Sequence, residues 1–94
     1  MTAQAYEFVF ETGIALDEVR DTLKLATLAC SAIHGEADVL VDAGREIDTA
    51  ARTLRFDCAA PAGRDLMRLF ARFAQGEFGS GAFTVRRLSA PASV

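Results

Sequence analysis

The strongest constraint on this chain is the way its hydrophobic period changes along the sequence. Tyr6-Glu7-Phe8-Val9-Phe10-Glu11, Thr53-Leu54-Arg55-Phe56-Asp57-Cys58 and Ala82-Phe83-Thr84-Val85-Arg86-Arg87-Leu88 each place large apolar residues at alternate positions. That is the period of a half-buried strand. Between them, two longer stretches repeat their apolar residues at the helical spacing. A chain that switches period in this way is a mixed α+β domain.

The strand phasing turns Tyr6, Phe8 and Phe10 inward, with Leu54, Phe56 and Cys58 beside them, and Phe83 and Val85 on the last strand. Asp17 to His34 reads as a helix. Asp17, Glu18 and Asp21 put negative charge at the positive end of its dipole. Val19, Leu23, Ala26, Cys30 and Ile33 form one stripe, and Gly35 is a natural stop. Val39-Leu40-Val41 is expected to open a second strand that runs to Ile47, with Ala43-Gly44 as a bulge. The loop 48–52 then closes a hairpin. Pro61 suits the first position of a second helix, whose buried side is Leu66, Leu69, Phe70, Phe73 and Ala74.

The resulting order is β-α-β-β-α-β. Two strand–helix–strand crossovers joined by a central hairpin correspond to the ferredoxin-like, split βαβ sandwich. Its four-stranded antiparallel sheet is expected to carry two helices on one face, because right-handed crossovers send both the same way. The other face then shows Glu7, Val9 and Glu11; Leu40 and Asp42; Thr53, Arg55 and Asp57; and Thr84, Arg86 and Leu88. The expected domain spans residues 1–88, with 89–94 as a disordered tail. At 94 residues there is no room for a second domain.

Charge and composition exclude several roles. The formal net charge of −3 opposes a bulk electrostatic grip on nucleic acid or an anionic membrane. No stretch approaches the roughly 20 apolar residues that a membrane span needs. The first residues lack the basic and apolar segments of a signal peptide, so a cytoplasmic setting with reduced thiols is expected. Recognition of RNA by base stacking needs aromatics on the open face of this kind of sheet. Here the ring-bearing positions are in phase with the core, and Glu7, Glu11 and Asp57 would face the phosphates.

Candidate chemistry is sparse. His34 is the only histidine and sits where it can cap the first helix. Cys30 and Cys58 fall on buried faces and have neither metal-ligand nor redox spacing. The acidic residues Asp38, Asp42, Glu46, Asp48 and Asp57 are interleaved with Arg45, Arg52 and Arg55, as cross-strand ion pairs would require. No catalytic group, metal site or cofactor is expected. Arg64, Arg68 and Arg72 form a row on the second helix that serves either as a solvated face or as an anion grip. Gly13 follows the first strand and is the candidate for a ligand's close approach, with anions drawn to the helix start beside it.

The first helix has a second apolar strip, Leu25, Leu28 and Ala32, set on the side that Asp21 and Lys24 mark as wet. Such a strip needs a cover, either from the chain's own loops or from another protein. The reading this favours is a small non-catalytic interaction or assembly module, self-associating or bound to another protein. A small-molecule regulatory domain with an anion site near Gly13 is the alternative. Nucleic-acid binding through the arginine row stands behind both.

Overall fold

A computed structural model describes residues 4–89. It is an α+β arrangement of three helices and a four-stranded antiparallel sheet. In chain order the elements are β1 (Gln4–Phe10), α1 (Leu16–His34), α2 (Glu36–Asp42), β2 (Arg45–Asp48), β3 (Thr53–Asp57), α3 (Pro61–Phe78) and β4 (Phe83–Ser89). The strands lie in the order β2-β3-β1-β4. β4 ends at Ser89, and 90–94 of the expected tail lie outside the described residues.

The aromatic alternation acts as expected. Phe8, Phe10, Leu54 and Phe56 are buried in one cluster with Val19, Ala26 and Cys30 of α1 and Leu66, Phe70 and Ala74 of α3. The Phe8 ring meets Phe56 and Phe70 edge-on, with centroids 5.5 and 5.2 Å apart. That geometry suits the ring quadrupoles.

Four expectations need correction. Glu36–Asp42 is helical, so the strand expected from Val39 starts only at Arg45. Gly35 makes this possible: its φ of 88° and ψ of 150° turn the chain sharply between α1 and α2, in a region open essentially to glycine alone. Val39 is then buried, while Leu40 and Val41 are each 78% exposed, a pattern of helix rather than strand. Leu40 and Asp42 therefore leave the open-face set. On α1 the buried stripe is Val19, Thr22, Ala26 and Cys30. Ile33, at the end of the helix, is exposed instead. Val85 lies opposite Phe8 in register, yet it is 45% exposed because β4 is an edge strand.

The loop between β2 and β3 is held at its tip. Asp48 Oδ1 accepts the Ala51 amide at 3.0 Å, and Arg52 takes a left-handed conformation with φ of 57°. Its guanidinium donates to the carbonyls of Glu11, at 2.7 Å, and of Ile14. One side chain thus ties the hairpin to the turn between β1 and α1.

Candidate functional surfaces

The outer side of α1 carries the apolar strip in the open. Leu25 is 58% and Leu28 68% exposed, and Ala32 beside them is exposed too. Phe78, at the end of α3, packs against the core instead of covering them. Leu28 also borders a groove of about 590 Å³ between α1 and β2, with Leu23, Thr27 and Ile47 as its apolar floor and Arg20, Lys24 and Arg45 around it. Leu25 borders a second concavity between α1 and α3, shared with Thr22, Phe73 and Arg72.

The open face of the sheet is a charge ladder. Across the strands, register aligns Glu46, Arg55, Glu7 and Arg86 in one row of alternating sign. Glu7 Oε2 sits 3.6 Å from Arg55, and Oε1 pairs with Arg86. The two arginines lie over Glu7, leaving it only 8% exposed on a face that is otherwise wet. A buried carboxylate is tolerable only when paired in this way. Val9, Ala5 and Leu88 occupy the flanking rows, so no aromatic ring stands on this face among the described residues.

The remaining candidates are placed as follows. Arg64, Arg68 and Arg72 are all exposed along α3, and Arg68 lies 3.9 Å from Asp65 one turn earlier. Arg72 joins the concavity that Leu25 borders. Gly13 is exposed, and a Cβ there would meet nothing within 4 Å, so the turn makes no demand for glycine. The nearby carbonyls of Glu11 and Ile14 already accept from Arg52. The acidic residues of the central region disperse: Asp38 and Asp42 go to α2, Glu46 joins the ladder, and Asp57 Oδ1 accepts the Ala59 amide at 3.0 Å.

His34 does not cap α1. Its Nε2 lies 2.7 Å from Asp65 Oδ2 on α3, and the last turn is closed by the Gly35 amide donating to Ser31. This clasp joins residues 31 positions apart, a separation that periodicity does not reveal. Both thiols are buried and donate to main-chain carbonyls, Cys30 to Ala62 at 3.4 Å and Cys58 to Gly63 at 3.8 Å. Burial pushes each thiol up from its ordinary pKa; the carboxylates of Asp65 and Asp57 add to this at Cys30 and Cys58 respectively. A neutral, buried thiol is a packing group and a poor nucleophile.

No helix among the described residues is long and apolar enough to cross a membrane. No protein-family model and no curated protein matched the chain.

Proposed function

We propose that this protein is a ferredoxin-like interaction module that does no chemistry and binds a second copy of itself through the outer side of α1. The fold reading rests on connectivity. β1 and β2 both run antiparallel to β3, and α1 with the short α2 joins them; β3 and β4 both run antiparallel to β1, and α3 joins them. These are two interleaved split βαβ units, and right-handed crossovers send α1 and α3 to the same face. The core shared by both helices and the inward phenylalanines agrees with that arrangement.

The observation that carries the function is the exposure of Leu25 and Leu28, 58% and 68%, on a helix whose opposite side is fully buried. Leu40 and Val41 of α2 are exposed too. Exposed apolar side chains grouped on one helix face mark an interaction site, and a two-fold contact of one patch with itself is the commonest way to cover it. Burial of the thiols suits a reducing compartment, and the cytoplasm is the proposed setting.

Light scattering over a concentration series tests the reading. The parent chain should associate, and Leu28→Glu should lower its association state without loss of fold. A parent chain that stays monomeric throughout, or a Leu28→Glu variant that associates as the parent does, would overturn it.

A further inference from the structure

The two edges of the sheet differ in a way that the α1 surface does not explain. In an antiparallel ladder, main-chain groups point alternately toward and away from the neighbouring strand. The Asp57 amide donates to Gly44, so Gly44, Glu46 and Asp48 face β3, while Arg45 and Ile47 face outward. At the other edge the Glu11 amide donates to Ala82. Thr84, Arg86 and Leu88 therefore face β1, and Phe83, Val85 and Arg87 turn N–H and C=O groups outward that pair with no strand among the described residues.

An exposed edge is a template for another strand unless something blocks it. β2 is blocked against its own copy. In an antiparallel pairing about a two-fold axis, centring on Arg45, Glu46 or Asp48 sets that charge against itself. Centring on Ile47 sets Glu46 against Asp48 of the other copy. Like charges directly opposite one another destabilise a pair.

β4 behaves differently. A two-fold axis at Val85 sets Val85 against its counterpart, Phe83 against Arg87, and Thr84 against Arg86. No like charges meet. All three outward-facing residues find outward-facing partners, for about six main-chain hydrogen bonds. The Arg87 guanidinium falls beside a phenylalanine ring, a favourable contact. Arg86 is already engaged with Glu7 on the far face of the sheet. Sliding the axis to Arg86 or Arg87 would stack arginine on arginine, and sliding it to Thr84 or Phe83 would set Arg87 opposite residues that precede the strand and shorten the ladder, so charge and strand length together select the register. The half-exposed Val85 would be covered by its own symmetry mate.

We propose that β4 pairs antiparallel with β4 of a second copy, in the register centred on Val85, joining two sheets into one. The surface lies on the edge opposite β2 and contains no residue of the α1 strip, so it stands or falls apart from the reading above.

Two variants test it. Directly paired residues of this type have Cα atoms about 5.5 Å apart, within the reach of a disulfide. Val85→Cys should give a cross-linked dimer as the main product under mild oxidation, in the parent and in the Leu28→Glu background alike. Thr84→Cys should not, since Thr84 faces Arg86 of the other copy. The native thiols are buried and do not interfere. Val85→Pro removes an amide that β1 does not use, so the fold should stay intact while association through this edge is lost. Cross-linking of Thr84→Cys in place of Val85→Cys would overturn the register. Failure of Val85→Cys to cross-link, or parental association in a folded Val85→Pro variant, would overturn the interface. Should Leu28→Glu leave association unchanged while Val85→Cys still cross-links, the α1 reading fails and this one stands.

Discussion

Gly63 is the position where one missing carbon matters most. A Cβ built there falls 2.0 Å from the Asp57 carbonyl oxygen and 3.2 Å from that of Asp42, both of them backbone atoms that have little room to yield. The first turn of α3 can approach β3 and α2 this closely only because residue 63 has no side chain. Gly63→Ala should cost about 3 kcal/mol through overpacking, read from the urea midpoint. Gly76, on the same helix, is the control. A Cβ there meets nothing, so Gly76→Ala should raise stability by about 0.5 kcal/mol through a stiffer unfolded chain. The buried thiols make a second residue-scale prediction. Their folded pKa lies above the unfolded value, so the unfolded chain ionises first as pH rises. Their contribution is complete below about pH 8.5 and is lost as pH climbs toward the higher folded values. The melting temperature should fall over that alkaline range, less steeply in a Cys30→Ala/Cys58→Ala variant. A thiol reagent at neutral pH should label the native protein only after denaturant is added.

At the scale of elements, α1 and α3 are locked by the His34–Asp65 clasp. His34 is largely buried and the contact is 2.7 Å, so the pair should show a coupling of about 1 kcal/mol in a double-mutant cycle. The exposed Arg20–Asp17 pair, at 3.3 Å within α1, should show no measurable coupling. A hydrogen–deuterium exchange comparison of His34→Ala with the parent should find the loss at the α1–α3 contact, with the sheet protected as before. The clasp also marks the limit of what the residues disclose by themselves. β1, β3, β4, α1 and α3 were legible because each keeps one hydrophobic period long enough to be unambiguous. Val39-Leu40-Val41 was not, since a three-residue apolar run fits either period, and the deciding fact is the backbone turn at Gly35. That Leu25, Leu28 and Ala32 lie off the core stripe was legible from the helical angle, but whether a loop covers them was not, because that depends on where Phe78 packs. The shift of the α1 stripe from Ile33 to Thr22, the reach of Arg52 to Ile14 and the burial of Glu7 beneath two arginines all depend on partners far away in sequence. No local pattern carries them.

At the scale of the whole molecule, the α1 strip and the β4 edge have different consequences for assembly. Leu28 lines a groove with Ile47 of β2, which places it beside one edge of the sheet, and β4 forms the other. Each proposed contact is isologous: one patch meets its own copy about a two-fold axis. A chain with one such contact stops at a dimer. A chain with two distinct ones on separate axes does not stop there: it closes as a tetramer when the axes meet at right angles, as a larger ring of dimers when they meet at a smaller closing angle, and otherwise continues as a filament. The mass of the parent chain should therefore exceed that of a dimer as concentration rises. Leu28→Glu and Val85→Pro should each reduce the limiting species to a dimer, held by the contact that remains. The double variant should be monomeric at every concentration and still fold, because neither position supplies an intrachain hydrogen bond to the sheet or a buried core contact. Sedimentation velocity on the four proteins measures this directly. A parent that halts at a dimer abolished by either substitution alone would mean that the two surfaces form a single interface, and the separation of their sites in the fold would have to be explained by a change of shape on association.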